Sequence, residues 1–354
     1  MLGIIMAGGQ GSRLKPLTDT RPKPMVEVMG RPVIDFVKEA MVAAGIQELV
    51  VTTGYRGEQL EQHVNGWSDP HTGLRARINQ ETVPMGTAGS VGLLREHITE
   101  TCIVGSGDGI ASFDIAALLN AHRFHGAKVT MALWEVDDPT QFGIVGLGKT
   151  KESPVDGTLR SGFIRRFQEK PTAEEAFSNV INAGLYILEP EVFDHIPEGE
   201  KFDFSKQLFP KLLDLGWPMY ASTIDGIWFD VGMPTELLNA QATLLANPNG
   251  LSLSPPSGYE AKGGNLVAAS AVVEGKITGS VVGNDVRLAA ASTLKNSLLM
   301  DGCTLGEGAV VIDSVLGRGV QVPAGAHVER CVVGDGATVA ADGHFVDAKI
   351  SKNG

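Results

Sequence analysis

The sequence is poor in cysteine and in aromatic residues, and it has no long apolar segment. Only three of its 354 residues are cysteines, without CxxC spacing, which excludes a disulfide framework and argues against a cysteine-ligated metal site. Aromatic residues make up 6% of the chain, too few for a surface that stacks the bases of single-stranded nucleic acid. No apolar run approaches the ~20 residues that cross a bilayer, and we expect no signal peptide.

Positive charge is also scarce. Lys and Arg number 29 against 41 Asp and Glu, so the formal net charge is −12. This balance argues against general affinity for nucleic acids or anionic membranes. An anionic ligand must therefore be bound by a local cluster of cations. We expect a cytoplasmic protein that has neither a nucleic-acid nor a membrane partner.

Strand-like and helix-like segments alternate from the start of the chain to about position 230. Leu2–Ala7 is a short apolar run, Pro32–Ala44 places apolar residues on one helical face, and Glu48–Thr53 is rich in β-branched residues. This alternation predicts an α/β fold with a Rossmann-like, mostly parallel sheet that is covered by helices. Ligands of such sheets lie beyond the carboxyl ends of the strands, which is where the loop after Leu2–Ala7 begins.

The second half of the chain contains an internal repeat with a constant period. Its apolar positions are separated by steps of 6, 6 and 5 residues, and one column that recurs once per period is Leu288, Leu305, Val322 and Val339. A coil with three short faces, each directing one aliphatic side chain inward, explains these steps. The sequence therefore predicts a parallel β-helix. The predicted boundaries are 1–245 for a catalytic domain, 246–264 for a linker, 265–345 for the β-helix and 346–354 for a tail.

The segment MAGGQGSRLKPLTDTRPKP (Met6–Pro24), called the cationic loop below, follows the first predicted strand. It carries four cations and one anion, a local charge of +3. Its glycines allow a ligand to approach the backbone N–H groups, and with Arg13 and Lys23 these groups can bind several phosphates. Two common phosphate fingerprints are absent, since Leu14 occupies the third glycine position of GxGxxG and no GxxxxGK[ST] occurs. A glycine-rich turn with solvated charges is the other interpretation.

The cationic loop resembles the signature of the sugar-1-phosphate nucleotidyltransferases, in which AGGxGxRL is followed by PLT and PKP. Ser12 stands where threonine is commoner, and Met233 replaces the usual threonine of a later motif. The other segments that resemble family motifs are PMGTAG (84–89), GSGDG (105–109), FGIV (142–145), QEKP (168–171), NAGLY (182–186) and WFDVGMP (228–234). The resemblance also implies that the β-helix is left-handed, as in other hexapeptide-repeat domains.

The resemblance implies roles for particular residues and Mg²⁺ as cofactor. The implied metal ligands are Asp108 and Asp230, and the implied catalytic set is Arg13, Lys23, Asp108, Lys170 and Asp230. The implied nucleotide-binding residues are Ala7, Gly8, Gly9, Gly11, Ser12, Arg13, Glu81, Gly86, Thr87 and Ala88. The implied sugar-phosphate-binding residues are Lys23, Gly143, Glu169, Lys170, Asn182 and Gly184.

The implied reaction joins a nucleoside triphosphate, with GTP favoured, to a sugar 1-phosphate or a cyclitol phosphate such as a valienol phosphate. Its products are a nucleotide sugar and pyrophosphate. Thymidylyl or adenylyl transfer to glucose 1-phosphate and a non-catalytic, nucleotide-sugar-binding regulatory subunit are the alternatives. Because hexapeptide β-helices also occur in acyltransferases, an acyl-transfer site is a further alternative. We expect the β-helix to pack between subunits of a homo-oligomer or against the catalytic domain.

Overall fold

The computed structural model describes residues 1–54, 57–247, 251 and 255–352. The chain forms two compact units. The α/β unit consists of Met1–Gly8 and Phe36–Trp228, and the β-helix unit consists of Gly9–Asp35 and Phe229–Gly354. Almost all of the cationic loop therefore belongs to the β-helix unit, a division that the sequence-based boundaries do not contain. Those boundaries stay a prediction.

Up to Asn247 the chain contains six α-helices and thirteen strands within the described ranges. The helices are α1 (Ile34–Ala43), α2 (Gly57–Asn65), α3 (Gly86–Gly92), α4 (Ile115–Phe124), α5 (Phe209–Asp214) and α6 (Pro234–Ala246). The strands are β1 (Leu2–Met6), β2 (Glu27–Val28), β3 (Arg31–Pro32), β4 (Glu48–Thr53), β5 (Arg75–Gln80), β6 (Cys102–Ser106), β7 (Gly109–Ala111), β8 (Val129–Glu135), β9 (Gly143–Gly148), β10 (Ser161–Glu169), β11 (Val180–Leu188), β12 (Met219–Thr223) and β13 (Trp228–Asp230).

Shorter helical turns complete this part of the chain. The 3₁₀ turns are Ser12–Leu14, Leu17–Asp19, Lys23–Met25, Arg95–His97 and Pro190–His195, and Phe204–Leu208 is a π-helical turn. Among the described residues no helix is long and apolar enough to cross a membrane.

The α/β unit is built on a nine-stranded sheet with the order β5-β4-β1-β6-β11-β8-β12-β10-β9. Strand β1 is parallel to both β4 and β6, β4 is parallel to β5, and β8 is parallel to β12. Strands β10 and β11 run antiparallel to their neighbours. The predicted α/β class is confirmed, and the parallel half of the sheet contains β1.

Strand β1 is an interior strand of this sheet, third in the order from β5, and this position fixes where its loop begins. Ile4 and Ile5 are fully buried, as expected for a strand covered on both faces. Beyond its end, the N–H of Ala7 donates to Thr52 O at 2.8 Å, and the N–H of Gly107 donates to Met6 O at 2.9 Å. The carboxyl ends of β1, β4 and β6 therefore lie side by side, as in other open α/β sheets that bind ligands.

The second half of the chain is a parallel β-helix of three sheets, with the orders β14-β15-β18-β21-β24-β27-β29, β16-β19-β22-β25 and β17-β20-β23-β26-β28. The strands are β14 (Tyr259–Lys262), β15 (Asn265–Ala268), β16 (Val272–Val273), β17 (Lys276–Thr278), β18 (Val281–Val282), β19 (Arg287–Leu288), β20 (Thr293–Lys295), β21 (Leu298–Leu299), β22 (Thr304–Leu305), β23 (Val310–Ile312), β24 (Val315–Leu316), β25 (Gln321–Val322), β26 (His327–Glu329), β27 (Val332–Val333), β28 (His344–Val346) and β29 (Lys349–Ile350).

The strands of the β-helix extend past the predicted domain limits at both ends. Strand β14 pairs antiparallel with β15 inside the predicted linker, and β28 and β29 continue the parallel sheets to Ile350. Residues 248–250 and 252–254 of the predicted linker lie outside the described residues. The predicted inward columns are confirmed, since Leu288, Leu305, Val322 and Val339 are all at most 2% exposed.

One corner of each coil adopts the left-handed backbone conformation. Asn296, Asp313, Arg330 and Asp347 have φ values between 46° and 54°, and Gly279 occupies the preceding coil with a φ of 59°. Glycine, asparagine and aspartate tolerate this conformation better than other residues. The even spacing of these positions therefore marks the corner that the chain must turn on each coil.

A ladder of buried side chains joins successive coils at another corner. The Ser280 hydroxyl accepts from the N–H of Ser297 at 3.1 Å, the Ser297 hydroxyl accepts from Ser314 N–H at 3.0 Å, and the Ser314 hydroxyl accepts from Cys331 N–H at 3.0 Å. The Ser314 hydroxyl also donates to Ile312 O at 2.7 Å. Each rung thus gives a buried backbone N–H its partner. Its hydroxyl also donates to a carbonyl that already accepts from the backbone, as Ile312 O does from Arg330 N–H at 3.0 Å.

The three cysteines are buried and free. Burial raises the pKa of the Cys303 thiol to about 12, so this side chain stays a neutral thiol and fills apolar space. Cys331 continues the serine ladder, because its Sγ lies 3.4 Å from Ala348 N.

Replacing a rung of the ladder tests its contribution to stability. Ser314→Ala leaves the buried N–H of Cys331 without its hydrogen-bond partner, so it should lower the free energy of unfolding by about 1–3 kcal/mol. Ser314→Cys is the matched variant, since Cys331 already occupies the equivalent place in the next coil, and it should lose less. Urea unfolding followed by circular dichroism measures both, and equal losses would contradict the ladder's role.

Candidate active site

The cationic loop folds back on itself at Gly11. This residue has a φ of +64°, and a Cβ there would lie 2.8 Å from the Cβ of Lys23. The Thr18 hydroxyl donates to Gly11 O at 2.8 Å and fixes the reversal. Because a larger side chain would be both strained and in collision, glycine at this position lets the start of the loop pack over Lys23.

Within the β-helix unit the structure brings together Arg13, Lys23 and Asp230. Lys23 Nζ lies 3.3 Å from Asp230 Oδ1, with side-chain exposures of 9% and 36%. A Cβ at Gly232 would lie 2.7 Å from the guanidinium of Arg13 and 3.3 Å from Asp230 Oδ2. Gly232, part of the WFDVGMP motif but given no role from the sequence, thus leaves room for the arginine beside the carboxylate.

The two remaining cations of the loop have partners elsewhere in the same unit. Lys15 Nζ pairs with Asp19 at 3.1 Å on the surface. Arg21 is 5% exposed and pairs with Asp335. The local charge of +3 is therefore not all available to one ligand. Asp335 lies in a Gly-Asp-Gly turn of the β-helix, and sequence reasoning gave it no role.

In the α/β unit, Glu81 lies at the ends of β1 and β4. Its Oε1 would be 3.3 Å from a Cβ at Gly8 and 2.9 Å from a Cβ at Gly54. Its Oε2 accepts from the N–H of Met85 at 3.2 Å. Ala7, which precedes Gly8, is buried. The structure thus brings Ala7, Gly8 and Glu81 together. It adds Gly54, which directly follows β4 and belongs to no motif found in the sequence.

The PMGTAG motif forms the start of helix α3 and is held by the chain around residue 202. Gly86 has a φ of +75°, and a Cβ there would lie 2.5 Å from Phe202 O. The Thr87 hydroxyl donates to Asp203 Oδ2 at 2.9 Å and accepts from Phe204 N–H at 3.0 Å. Ala88 is fully buried. The Thr87 hydroxyl therefore already has two protein partners, and the nucleotide-binding role of this motif stays a prediction.

Asp108 follows β6 at the carboxyl edge of the sheet, where its Oδ1 accepts from the Ser106 hydroxyl at 2.5 Å. No group of three or more His, Cys, Asp and Glu side chains suited to a metal occurs among the described residues. Mg²⁺ is commonly bound by one or two carboxylates together with substrate phosphates. Asp108 and Asp230 are each of the ligand type that this ion prefers.

Gly143, Glu169 and Lys170 lie together in the α/β unit. A Cβ at Gly143 would lie 2.8 Å from Glu169 Oε2, so glycine makes room for this carboxylate. The N–H of Lys170 donates to Phe142 O at 2.9 Å, and Lys170 has a φ of +47°. A non-glycine residue in this conformation is uncommon, and such positions cluster at functional sites.

Asn182 and Gly184 shape an irregular section of strand β11. Asn182 Oδ1 accepts from the N–H of Gly184 at 2.9 Å, and its Nδ2 donates to the Tyr186 hydroxyl at 2.7 Å. The register of β11 against β8 shifts between Asn182 and Tyr186. Gly184 has a φ of +82°, and a Cβ there would lie 3.2 Å from the Cβ of Ser106. This bulge places Gly184 next to the residue that binds Asp108.

The environment of Glu169 favours its protonated form. Burial raises the pKa of this carboxyl, the negative charge of Asp203 raises it further, and the cations Lys170 and Lys206 partly offset both. A carboxyl of raised pKa in a group of motif residues is a functional-site candidate on physical grounds. It is suited to hydrogen bonding with neutral hydroxyl groups.

Comparison with known proteins identifies the family. Residues 2–247 match the family described as nucleotidyl transferase, and residues 260–352 match the one described as GlmU-like, C-terminal hexapeptide. The chain belongs to the nucleotidyl transferase family. The resemblance drawn from the motifs is therefore confirmed. The parallel sheets of the second half, together with the hexapeptide match, are consistent with the predicted left-handed β-helix.

The relatives of this nucleotidyl transferase differ in the nucleotide named for them. A mannose-1-phosphate guanyltransferase of Kluyveromyces lactis is 36% identical over 270 residues, which are 75% of this chain and 70% of the relative. A UTP–glucose-1-phosphate uridylyltransferase of Synechocystis is 28% identical over 345 residues, 88% of this chain and 86% of the relative. A crystal structure of a putative glucose-1-phosphate thymidylyltransferase from Bacillus anthracis has a TM-score of 0.58 at 25% identity and covers 68% of this chain and 94% of that one.

Glu169→Gln should make the protein more stable at neutral pH. A carboxyl whose pKa is raised on folding opposes folding when it is ionised; this penalty is absent well below its ordinary value of 4.5 and grows as the pH rises through the raised pKa. The stability gain of the variant should therefore be present at neutral pH and disappear in acid. Unfolding free energies measured at several pH values between about 4 and 8 test this.

Glu175→Gln serves as the control of opposite sign. The N–H and hydroxyl of Thr172 lower the pKa of the Glu175 carboxyl, so its ionised form favours folding above its ordinary pKa. This variant should lose stability at neutral pH. A Glu169→Gln protein that loses stability in the same way would show that the Glu169 carboxyl is not penalised by its surroundings.

Proposed function

We propose that this nucleotidyl transferase joins a nucleoside triphosphate to a sugar 1-phosphate and releases pyrophosphate, with GTP and a hexose 1-phosphate as its substrates. One observation carries the proposal. The two motif cations Arg13 and Lys23 stand beside the carboxylate of Asp230, so positive charge and a ligand suited to Mg²⁺ occur at one place. Such a group suits a reaction between polyanions.

The chemistry needs charge neutralisation more than proton transfer. The attacking oxygen belongs to a phosphate monoester that is largely deprotonated near neutral pH, so no general base is required. Two unit charges ~4 Å apart repel by about 4 kcal/mol at an effective dielectric constant of 20. Several charges meet in this reaction. Holding the anions in line while offsetting their repulsion is therefore the main task of the protein.

The proposed role of each cation is the one that the family motifs imply for it. Arg13 neutralises the β- and γ-phosphates and the departing pyrophosphate, while Lys23 and Lys170 hold the phosphate of the sugar. Asp108 and Asp230 are the proposed ligands of Mg²⁺, which when bound supplies positive charge at the transferred phosphate. The backbone of Gly8, Gly9, Gly11 and Ser12 donates to the triphosphate.

The remaining motif residues select the base and the sugar in this proposal. The Glu81 carboxylate and the backbone of Gly86, Thr87 and Ala88 line the base. Glu169 and Asn182 accept from or donate to sugar hydroxyls, and the glycines Gly143 and Gly184 leave the space that these groups need. A sugar that offers hydroxyl groups to these polar groups should be favoured over one that leaves them without partners.

The preference for GTP is supported by relatives named mannose-1-phosphate guanyltransferase, which reach 36% identity. Uridylyl or thymidylyl transfer to glucose 1-phosphate is the second candidate, since relatives and a structural neighbour carry those names. A cyclitol phosphate in place of the sugar, a cytoplasmic location and a homo-oligomeric state stay predictions. A non-catalytic regulatory subunit is disfavoured because Arg13, Asp108 and Asp230 are all present.

A pyrophosphate-release assay tests this proposal directly. Purified protein with Mg²⁺ is combined with each of five nucleoside triphosphates and with the 1-phosphates of mannose, glucose and a cyclitol. We expect release with GTP and mannose 1-phosphate above every other pair, because the named relatives combine these two. Release that is highest with UTP or with the thymidine nucleotide would favour the second candidate, and no release with any pair would contradict nucleotidyl transfer to sugar phosphates.

Lys170→Ala should separate the two substrates. Loss of one charge-assisted hydrogen bond to a phosphate costs about 1.5–3 kcal/mol, so the KM for the sugar 1-phosphate should rise about 10- to 100-fold. The KM for the nucleotide should change much less. Lys128→Ala is the control, because Lys128 is a surface lysine of the same unit that pairs with Glu191 at 2.9 Å. Equal increases in both KM values would remove Lys170 from the proposed role.

A further inference from the structure

Arg21 belongs to the cationic loop, yet its guanidinium is directed at the β-helix. The residue is 5% exposed. Its Nη2 lies 2.5 Å from both carboxylate oxygens of Asp335, and its Nη1 lies 3.0 Å from Met300 Sδ. A buried arginine with a carboxylate and a thioether around it is not placed to bind a ligand phosphate. Its position instead joins the loop to the coil that contains Asp335.

Asp335 accepts hydrogen bonds from the loop and from the preceding coil of the β-helix. The Thr20 hydroxyl of the loop donates to Asp335 Oδ2 at 2.6 Å, and the backbone N–H of Arg318 donates to Oδ1 at 2.8 Å. Burial alone raises the pKa of this carboxyl, but the charge of Arg21 and the three donors together hold it below its usual range. Asp335 is therefore a carboxylate at neutral pH, and its ion pair with Arg21 is intact there.

A second pair of charges continues the network on the other side of Arg21. Glu27 is 5% exposed. Its Oε1 lies 3.7 Å from Arg21 Nη1 and 2.5 Å from Arg318 Nη2. Charges of opposite sign thus alternate from Asp335 through Arg21 and Glu27 to Arg318. Because removing one member of a buried network leaves a charge without its partner, the network strongly restrains where Arg21 can lie.

Two further contacts hold the loop near Arg13. Lys349 Nζ donates to the backbone O of Arg13 at 3.3 Å. A Cβ at Gly334 would lie 3.1 Å from the Cβ of Pro16, so the proline packs directly on a glycine next to Asp335. The last coils of the β-helix therefore contact the loop beside Arg13 as well as at Arg21.

We infer that Asp335 is a positioning residue for nucleotidyl transfer: by binding Arg21 and Thr20 it holds the cationic loop so that Arg13 and Lys23 stay beside Asp230. The inference rests on the proposed function. It gives the β-helix a part in catalysis within one chain, whatever its part in assembly. Its physical basis is that phosphoryl chemistry depends on cations held in place before the anions arrive.

Asp335→Asn is the test variant, because asparagine keeps the shape of the side chain and can still accept from the backbone N–H of Arg318. Asp347→Asn is the matched control. Asp347 also belongs to the β-helix and also receives two hydrogen bonds from one arginine, at 2.8 Å and 3.0 Å from Arg330, but this pair is exposed and is not a contact of the loop.

Two measurements on the full chain report on the loop and on its effect. Hydrogen exchange followed by mass spectrometry should show loss of protection in residues 12–24 of Asp335→Asn, with unchanged protection in β1 and β4. The kcat/KM for the nucleoside triphosphate should fall on the order of 10- to 100-fold, since small misplacements of positioned groups have effects of this size. Asp347→Asn should keep native protection of the loop and activity within about twofold of the unaltered chain.

Thr20→Val is the second variant, should Asp335→Asn fail to fold. It removes one hydrogen bond from an exposed position and should lower kcat/KM about threefold to tenfold, the equivalent of one hydrogen bond. If Asp335→Asn folds, Thr20→Val should add little in its background, because both substitutions alter the same contact. If the contact between Thr20 and Asp335 only stabilised the fold, the two substitutions would lower the temperature midpoint of unfolding, and their effects on kcat/KM would not be coupled.

The outcomes separate this inference from the proposed function. If the unaltered chain releases no pyrophosphate, nucleotidyl transfer to sugar phosphates fails, whereas the exchange experiment still decides whether Asp335 holds the loop. If the unaltered chain is active but Asp335→Asn and Thr20→Val match Asp347→Asn in loop protection and in kcat/KM, the positioning role of Asp335 is overturned.

Discussion

Repulsion among like charges is the constraint on which the cationic loop depends. Its four cations, Arg13, Lys15, Arg21 and Lys23, would push the loop apart if nothing opposed them. Carboxylates from three parts of the chain pair with these cations: Asp19 within the loop, Asp230 at the end of β13 and Asp335 in the β-helix. The three ion pairs differ in how exposed they are, so they differ in how strongly they restrain the loop. The surface pair contributes little, whereas the buried pair at Arg21 fixes a position.

The α/β unit meets the opposite problem at Glu169, where a negative charge is disfavoured. Burial and Asp203 act together against its ionised form. Gly143 removes the side chain that would collide with this carboxylate, and Lys170 lies beside it in a left-handed conformation. Both units thus contain buried charged groups, which cost more free energy to bury than apolar side chains would. Proteins commonly accept this at sites that bind ligands.

The sequence allowed most of the fold to be predicted because its signals are local or periodic. Strand β1 is an apolar run, and the coil of the β-helix repeats with a constant period, so neither needs knowledge of distant partners. The left-handed corner from Asn296 to Asp347 follows the same period. The motif residues of the site could be predicted from their order along the chain. Their contacts could not, since each depends on how separate segments meet.

The pairing of Arg21 with Asp335 shows the limit most clearly. The two residues are 314 positions apart, and Asp335 lies in a Gly-Asp-Gly turn that any solenoid corner could contain. The sequence counts Arg21 among the four cations of the loop but names no partner for it. The partner, Asp335, is visible only in the tertiary structure. Gly232 is a similar case, because its value lies in the space it leaves for Arg13.

Asp335 accepts a hydrogen bond from the backbone N–H of Arg318, the residue at the same position of the preceding coil, at 2.8 Å. Two coils earlier, Asp301 accepts in the same way from the N–H of Asn284 at 2.7 Å. Asp335 is thus a regular member of the repeat that also binds Arg21 and Thr20 of the loop. Every interior turn of a solenoid contacts its neighbours in the same way, so the geometry of the repeat does not itself fix the number of turns. The loop does depend on that number, since one turn fewer would move Asp335 by about 4.8 Å along the axis of the β-helix. The number of turns before Asp335 therefore decides whether the aspartate of this repeat meets Arg21 of the loop.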